Sequence, residues 1–279
     1  MTTSTADPRT SRRPAAATGT PVDVALASRS VDRALAVLCS FSRETPTLGV
    51  TELSERLDLT KSTVHRLLQA LLARGLVAQD PDHRHYTLGY RVLALARAVP
   101  GEADLRQICL PHMRWLRSVT DETIALYVVA GDVRVCLDEL ESPQMLRMSA
   151  GVGRCFPLDR GAAGKALLMD GPADADLWRR ATLAFSAARR AELAAALEFA
   201  RARGYTQSSG ETVPGAASLA APVRGGDGRV VAALNVGAPA SRLTPEMTAR
   251  AAAAVLEAAG RAGRDLSVMH PNTHPASRR

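Results

Sequence analysis

The stretch that decides the fold is residues 47–91, which read TLGVTELSERLDLTKSTVHRLLQALLARGLVAQDPDHRHYTLGYR. Within Lys61–Ala73 the apolar residues recur at helical spacing, so the segment predicts a helix with one packed face and one polar face. The apolar set is Val64, Leu67, Leu68, Leu71 and Leu72, and the polar set is Lys61, Ser62, His65, Arg66 and Gln69.

A shorter helix is predicted just before it, over Val50–Leu57, again with its apolar residues on one side. Asp58-Leu59-Thr60 then makes a tight connection in which Thr60 caps the second helix. Two helices joined so closely cross steeply, which turns the second one outward as a recognition helix. Its candidate contacts to base edges and phosphates in the major groove of duplex DNA are Lys61, Ser62, Thr63, His65, Arg66 and Gln69.

A hairpin is predicted after the second helix. Gly75 can end that helix in a left-handed conformation, and Leu76-Val77-Ala78 then favours a strand. Asp80-Pro81-Asp82-His83 is typical of a turn, and a return strand follows through Leu88. This hairpin would be the wing of a winged helix-turn-helix, and the side chains at its tip that could touch the DNA backbone or minor groove are His83, Arg84 and His85.

Each basic residue of this region, taken singly, is equally consistent with a solvated helix face followed by an ordinary hairpin. The ordered set is harder to obtain by accident. A short helix, a Thr-capped second helix, a glycine stop and a turn-bearing hairpin follow one another. The sequence therefore predicts a DNA-binding domain.

The composition allows two globular domains. The chain has 279 residues, of which 46% are hydrophobic, so each half can bury a core. The net charge of +7 suits a polyanionic partner, although a membrane surface or a merely basic soluble protein fits that charge too. No apolar run is long enough to cross a bilayer, and residues 1–27 lack the apolar core of a signal peptide. We therefore expect a cytoplasmic protein with no membrane partner and a disordered segment over residues 1–27.

The four cysteines are widely spaced, and no CxxC pair or nearby histidine cluster has the spacing of metal ligands. We expect ordinary buried thiols and neither a metal site nor a cofactor. Cys155 is the one reservation, because it lies shortly before Leu158–Gly161, the segment that leads into a predicted helix. The cysteines are Cys39, Cys109, Cys136 and Cys155.

The rest of the chain alternates helices and strands. A helix over Ser28–Phe41 would complete a three-helix core, and Tyr90–Ala98 would form a linker helix before Pro100-Gly101. Further helices are expected at Asp104–Val119, Ala162–Met169, Arg189–Arg203 and from Pro245 onward. Strands are expected at Thr123–Ala130, Val133–Leu140, Gln144–Ser149, Tyr205–Ser209, Ser218–Val223 and Val230–Val236. The predicted fold class is α+β, with an antiparallel sheet flanked by helices in the second domain.

Six segments carry a family resemblance: Ser30–Leu35, Lys61–Leu68, Tyr86–Gly89, Gly164–Leu168, Arg203–Tyr205 and Ala220–Val223. With them, almost the whole chain after residue 27 resembles the IclR family of bacterial transcription regulators. The resemblance implies a winged helix-turn-helix domain at 28–89, a linker helix at 90–101, a GAF-like effector-binding domain at 102–266 and a flexible tail at 267–279. It also implies homodimers or dimers of dimers, which would recognise operator DNA as an inverted repeat.

In that family the ligand cavity lies between the sheet and the loops beside it. The resemblance implies that the side chains of Ser208, Ser218 and Asn235 orient polar atoms of the effector. Backbone N–H groups at Ala162–Gly164 could hold a carboxylate as they enter a helix. For each residue singly, ordinary packing is an equal alternative. The complete implied set is Met145, Met148, Phe156, Ala162, Ala163, Ser208, Ala216, Ser218, Asn235 and Gly237, of which Met145, Met148 and Phe156 make the apolar side.

The chain departs from the family pattern in two places. Asp159 and Arg160 stand where many relatives carry His and Ala, and they either form a surface pair or alter the mouth of the pocket. Gly237 stands where some relatives have a hydroxyl side chain, so a polar contact there is absent or made by water.

Catalysis is not expected. Gly161–Lys165 looks like a phosphate loop, but a Walker motif has a longer glycine spacing and a Ser or Thr after its Lys, where Ala166 stands here. There is also no GxSxG elbow, HExxH helix or clear paired acid motif. We expect a sequence-specific regulator, a repressor rather than an activator, whose effector is a small aliphatic or aromatic carboxylic acid. The alternatives are a winged-helix DNA-binding or protein-interaction module without ligand sensing, and an enzyme acting on a small acid.

Overall fold

The computed structural model describes residues 21–99 and 101–269, which divide into two compact units. The first unit ends at Val92 and the second begins at Leu93. Residues 1–20 and 270–279 lie outside the described part. The expected disorder of residues 1–20 and the expected flexibility of residues 270–279 therefore stay predictions.

The first unit has a helical core and a two-stranded hairpin. Its elements are α1 (Pro21–Cys39), α2 (Val50–Leu57), α3 (Lys61–Ala73), β1 (Val77–Gln79) and β2 (Tyr86–Leu88). Val37 of α1, Leu53 of α2 and Leu68 of α3 are fully buried together. The predicted bounds of both helices of the helix-turn-helix are confirmed.

Two local signals set the connection between α2 and α3. Asp58 takes a left-handed φ of 50°, and its N–H donates to the Ser54 carbonyl, which ends α2. The Thr60 hydroxyl then accepts a hydrogen bond from the Thr63 N–H at 3.3 Å, which caps α3. Because the chain turns within so few residues, the two helices share one core while α3 keeps an exposed face.

A left-handed glycine ends α3, as the sequence predicts. Gly75 has a φ of 68°. Its N–H donates to the Leu72 carbonyl at 2.9 Å, and the Leu76 N–H donates to the Leu71 carbonyl at 3.0 Å. These two bonds form a Schellman motif, which directs the chain into the hairpin.

The first unit differs from the expectation at its start. Helix α1 begins at Pro21 rather than Ser28, so residues 21–27 are helical and not part of a disordered segment. Proline is favoured at the first position of a helix, and the following Val-Asp-Val-Ala-Leu-Ala includes good helix formers. In the sequence, the division between the units falls within α4 (Arg91–Arg97), which corresponds to the expected linker helix.

The second unit is built on one antiparallel sheet with the strand order β5-β4-β3-β8-β7-β6. This architecture confirms the predicted α+β class. Its helices are α5 (Glu102–Thr120), α6 (Gly161–Leu167), α7 (Ala175–Thr182), α8 (Ala187–Arg203) and α9 (Pro245–Met269). Its strands are β3 (Thr123–Ala130), β4 (Val133–Leu140), β5 (Cys155–Pro157), β6 (Thr206–Ser209), β7 (Ala216–Arg224) and β8 (Val230–Pro239).

Helices cover both faces of this sheet. On one face, Leu126, Leu234 and Val236 pack with residues of α5 and α9 such as Met113 and Val255. On the other face the sheet and α6 meet mainly through alanines, because small side chains allow a close approach. These alanines are Ala125, Ala220 and Ala233 of the sheet and Ala162, Ala163 and Ala166 of α6.

One predicted strand of the second unit is wrong. Gln144–Ser149 belongs to a loop, and the strand that pairs with the edge of β4 is β5. The Glu139 carboxylate accepts hydrogen bonds from the backbone N–H groups of Ala150 and Gly151. Because a side chain accepts the hydrogen bonds of these amides, this part of the loop needs no backbone hydrogen bonds from a neighbouring strand.

Two further differences concern helices. Helix α7 was not predicted, and α9 extends to Met269, so residues 267–269 are helical rather than part of a tail. Within the described ranges, we find no helix with the length and apolar character needed to span a membrane.

Candidate nucleic-acid interface and ligand-binding face

The outward face of α3 carries unengaged basic side chains. Lys61, His65 and Arg66 are exposed and make no hydrogen bond or ion pair with another described residue. On the opposite side of the helix, Val64 and Leu68 are fully buried. Packing therefore fixes the helix, while these three side chains keep their donors for an external acceptor.

Three other candidates on α3 also have a role within the fold. The Thr60 hydroxyl oxygen lies 3.1 Å from that of Ser62 and 2.9 Å from that of Thr63, inside the cap of α3. Gln69 donates from Nε2 to the Tyr86 hydroxyl at 3.4 Å, which joins α3 to the hairpin. Ser62, Thr63 and Gln69 thus stabilise the unit whether or not they contact DNA.

The tip of the hairpin is shaped by Asp80. Its carboxylate accepts hydrogen bonds from the N–H groups of Asp82 and His83 at 2.8 and 3.1 Å, and these bonds lower the pKa of Asp80. Arg84 then takes a left-handed φ of 54°. As a result the predicted wing residues His83, Arg84 and His85 are all exposed at one turn.

A groove that sequence reasoning missed lies between this hairpin and the start of α2. His85 Nε2 is 3.9 Å from Glu52 Oε2, and Glu52 Oε2 accepts a hydrogen bond from the Gly49 N–H at 2.7 Å. Thr51 and Gln79 line this groove and are added to the candidate interface. In the sequence, the signal that could have identified them is the start of a helix next to the predicted wing. The groove is lined by Gly49, Val50, Thr51, Glu52, His65, Gln79, Arg84, His85 and Tyr86.

In the second unit, three of the expected effector residues form one row across the sheet. Ser208 on β6 pairs with Ser218 on β7, and Ser218 pairs with Gly237 on β8. Neighbouring strands lie about 4.8 Å apart, so the two hydroxyl groups are close neighbours. The row lies on the sheet face that α6 covers, because Ser218 and the buried Ala220 are two residues apart on one strand.

A second row on the same face contains Asn235. It pairs with Ala220 on β7 and with Ala125 on β3. Asn235 is only 8% exposed. Within the described ranges, neither its amide nor the hydroxyl groups of Ser208 and Ser218 form a hydrogen bond with a neighbouring residue. The polar atoms of all three side chains keep access to solvent and are not taken up by neighbouring residues, so this set is suited to binding polar atoms from outside the chain.

Helix α6 covers these rows as the resemblance implied. Ala162 and Ala163 are buried, and the Thr206 hydroxyl donates to the Ala162 carbonyl at 2.7 Å, which fixes the helix over β6. Ala216 is half-buried at the start of β7.

A carboxylate of the protein itself occupies the start of α6. The Gly161 N–H donates to Glu211 Oε2 at 3.0 Å, and the Lys165 ammonium donates to Glu211 Oε1. That backbone N–H groups at Ala162–Gly164 could hold an external carboxylate stays a prediction. The carboxylate that the structure places on Gly161 is internal and comes from the loop after β6.

The expected apolar side comes together only in part. Phe156 is half-buried and meets Tyr127 edge-on, with ring centroids 6.2 Å apart. Met148 is half-buried, but the Met145 side chain is 98% exposed and does not reach this face. The error follows from the wrong strand at Gln144–Ser149, because a loop does not impose the alternation that a strand would.

The two departures at the α6 entry form an ion pair. Arg160 Nε lies 3.3 Å from Asp159 Oδ1, with the carboxylate buried and the guanidinium half-exposed. The two residues therefore pair, but with the Asp159 carboxylate buried they do not form the pair at the surface that was one expectation, and whether they alter the mouth of the effector pocket stays a prediction. Both residues also line a charged cleft at α8, together with Lys165, Arg189, Glu192, Leu193, Ala196 and Glu211.

Sequence reasoning missed Arg134, which is only 4% exposed. Its Nη1 donates to the carbonyl oxygens of Pro157 and Arg160. Its guanidinium carbon lies 5.4 Å from the ring centroid of Tyr127 and 5.1 Å from that of Phe156. Burial lowers the pKa of Arg134, although an arginine remains charged at any physiological pH. The signal in the sequence that could have identified Arg134 is a charged residue at a position of β4 that strand alternation turns toward the core.

Burial also sets the ionisation of neighbouring groups. It raises the pKa of Cys136 to about 12 and the pKa of Tyr127 well above its ordinary value, so both are neutral at physiological pH. Cys109 and Cys136 are buried as expected, but Cys39 and Cys155 are exposed, so the expectation of buried thiols is wrong for these two. In the described parts of the chain, no cluster of His, Cys, Asp and Glu could hold a metal ion.

Family models match most of the chain. The IclR helix-turn-helix domain matches residues 30–81, and the Bacterial transcriptional regulator IclR C-terminal domain matches residues 98–264. The HTH-type transcriptional regulator XynR of Escherichia coli (strain K12) is 30% identical over 222 residues, covering 77% of this chain and 88% of that protein. The HTH-type transcriptional repressor AllR of Klebsiella pneumoniae is 32% identical over 225 residues, covering 78% of this chain and 83% of that protein.

Solved structures share the fold. An IclR transcriptional regulator from Silicibacter sp. TM1040 matches with a TM-score of 0.71 and 26% identity, over 88% of this chain and 98% of its own. An IclR homolog complexed with 4-hydroxybenzoate, from Microbacterium hydrocarbonoxydans, matches with a TM-score of 0.68, over 86% of this chain and 99% of that chain. The second structure is 24% identical and therefore supports the fold alone.

Proposed function

The chain belongs to the IclR family of bacterial transcriptional regulators, and we propose that it is a repressor whose operator binding is controlled by a small organic acid. Its first unit is a helix-turn-helix DNA-binding domain and its second is an effector-binding domain, so its partners are DNA and a small molecule. Like its curated relatives, it is a regulator and not an enzyme. We place its action in the cytoplasm, where operator DNA lies.

The observation that carries the effector role is the unpartnered polar set under α6. Ser208, Ser218 and Asn235 offer two hydroxyl groups and an amide on one sheet face. Hydroxyl and amide donors suit the oxygens of a carboxylate. The 4-hydroxybenzoate bound by the Microbacterium hydrocarbonoxydans protein gives a first probe, and it is an aromatic acid.

Repression is proposed from the relatives. Two proteins named HTH-type transcriptional repressor AllR, from Klebsiella pneumoniae and Escherichia coli (strain K12), are 32% and 30% identical to this chain. A repressor releases its operator when the effector prefers the arrangement of domains that binds DNA weakly. The size of the response is set by the difference between the affinities of the effector for the two arrangements.

A homodimer, or a dimer of dimers, is proposed from exposed apolar surface. Val31 and Leu35 of α1 and Leu93 and Leu95 of α4 are exposed. Clusters of exposed apolar side chains are typical of protein–protein contacts. A two-fold dimer would present two equivalent recognition helices to an inverted repeat.

The test uses the full chain and a duplex selected from a random library by binding to it. Fluorescence anisotropy then follows release of that duplex in the presence of small acids, beginning with 4-hydroxybenzoate, benzoate and succinate, with the corresponding amides as controls. We expect at least one acid to weaken DNA binding while its amide does not. If no acid changes the affinity, the chain is a DNA-binding module without acid sensing.

A further inference from the structure

Resting on the proposed function, we propose that Arg134 is the residue that recognises the carboxylate of the effector. Its guanidinium would make the site select an anion over a neutral molecule of the same shape. This goes beyond the hydroxyl and amide groups that the family resemblance implied, because none of those groups carries a charge.

The first argument is the set of donors that Arg134 leaves unused. Nη1 is engaged by the carbonyl oxygens of Pro157 and Arg160. Nε is buried without a hydrogen-bond partner, and Nη2 makes no hydrogen bond to a residue of the described ranges. The Nε–Nη2 edge of a guanidinium presents two parallel N–H groups, which match the two oxygens of a carboxylate.

The second argument is charge. The carboxylates of Asp159 and Glu211 attract the Arg134 guanidinium electrostatically. Asp159 is paired with Arg160, while Glu211 accepts from Lys165 and from the Gly161 N–H. Arg134 itself forms no ion pair with a described residue. A buried cation without a carboxylate partner is costly, and an anionic ligand would remove that cost.

The third argument is position. The rings of Tyr127 and Phe156 flank the guanidinium and hold it at the start of α6. A Cβ on Gly161 would come within 2.9 Å of Nη2 and 2.7 Å of the Thr212 hydroxyl oxygen, so the glycine leaves room for both groups. A residue that only fastened the turn before α6 would use Nη1 alone. The unused edge is what that structural role does not explain.

Acetate and benzoate are the probes, with acetamide and benzamide as neutral counterparts, at constant ionic strength. Isothermal titration measures their affinity for full-length wild type, Arg134→Met and Arg179→Gln. We expect wild type to bind at least one carboxylate saturably and to prefer it to its amide. Arg134→Met should lose roughly tenfold or more of that affinity, as removal of charge-assisted hydrogen bonds does. Arg179→Gln removes an exposed charge of α7 that is paired with Asp176 and not with the groups around Arg134, so it should bind like wild type.

A second measurement does not depend on how well Arg134→Met folds. The ¹⁵N resonance of the Arg134 Nε–H group, assigned by its absence in Arg134→Lys, should shift when the bound carboxylate is added and remain in place with the amide. Equal carboxylate affinity in Arg134→Met, binding of amide and acid alike, or no carboxylate binding by wild type would each overturn the inference.

These outcomes can be separated from failure of the proposed function. An acid that releases operator equally from wild type and Arg134→Met would leave acid sensing intact and remove Arg134 from it. A carboxylate that binds at Arg134 but does not affect DNA affinity would support the anion site and contradict acid-controlled repression.

Discussion

At the scale of single residues, Arg66 offers the simplest test of the DNA interface. It is exposed on the outward face of α3 and has no partner among the described residues. We expect Arg66→Ala to leave the melting temperature unchanged and to weaken operator binding, by ~1–3 kcal/mol if Arg66 contacts a base edge. Anisotropy titrations with operator and scrambled duplexes distinguish a base contact from a phosphate contact, since the latter weakens both duplexes alike.

Arg74→Ala is the matched control for Arg66→Ala. Arg74 is also exposed, but it lies at the C-terminal end of α3, beyond the residues expected at the groove. Operator affinity should therefore change little. If both variants lose the same affinity for both duplexes, Arg66 contributes only overall charge and not recognition.

Ser218 tests the ligand-binding face. Ser218 lies between Ser208 and Gly237 in the row, so Ser218→Leu would fill space above the row and remove a hydroxyl donor. We expect unchanged operator binding without acid and loss of the response to the acid identified by the release assay. The missing hydrogen bond accounts for about 0.5–1.5 kcal/mol, and the added bulk acts in the same direction.

Ser209→Leu is the control for Ser218→Leu, because Ser209 is exposed on the neighbouring strand. It should respond to the acid as wild type does. A normal response in Ser218→Leu would place the effector elsewhere in the second unit.

The cysteines give a residue-scale test of burial and ionisation. Burial raises the pKa of Cys109 and of Cys136 to about 12, so at pH 8 both thiols are protonated and shielded. Cys39 and Cys155 are exposed. Iodoacetamide treatment of the native protein, followed by peptide mass spectrometry, should modify the exposed pair first. Early modification of Cys136 would mean that the sheet face under α6 opens readily.

At the scale of elements, local signals explain what the sequence could predict. Helix α3 has both an amphipathic pattern and chemical signals at its two ends, so its bounds were predictable. The hairpin of β3 and β4 was predictable because Gly131-Asp132 separates two apolar runs. Gln144–Ser149 has a suitable pattern too, but the Glu139 carboxylate binds the backbone next to it, and sequence spacing does not reveal that contact.

The cap of α3 should be measurable in the stability of the first unit. Thr60→Ala removes the hydroxyl that accepts from the Thr63 N–H. We expect the free energy of unfolding to fall by about 0.5–2 kcal/mol, as for other N-cap losses. Thr60→Ser keeps the hydroxyl and should stay close to wild type. Urea denaturation of the full chain, followed by helical circular dichroism, checks the comparison, and equal stability of both variants would contradict the cap.

At the scale of the whole molecule, the two halves differ in how far the sequence could define their sites. The DNA-binding candidates lie within one continuous segment, so helical periodicity and turn chemistry are enough to group them. The proposed ligand-binding face combines residues from β4, β6, β7 and β8, which only the pairing of distant strands brings together. Arg134 illustrates the difference, because nothing near it in sequence indicates the turn before α6 that it contacts.

The proposed dimer predicts the symmetry of the operator. A two-fold axis relates two copies of α3, so each copy should meet the same bases in opposite orientation. We expect a footprint with two half-sites in an inverted repeat. Exchanging the bases of one half-site should weaken binding strongly, because both helices bind at once. Sedimentation of the protein–DNA complex counts the chains, and one chain on a single asymmetric half-site would contradict the dimer.

Arg66→Ala then links the residue scale to the whole assembly. A symmetric dimer of the variant lacks the Arg66 side chain at both half-sites, so the effect on one half-site should equal the effect on the other. Footprinting of Arg66→Ala on the intact inverted repeat should therefore lose protection symmetrically. Loss in one half-site only would mean that the two recognition helices are not equivalent, and that the complex is not a simple two-fold dimer.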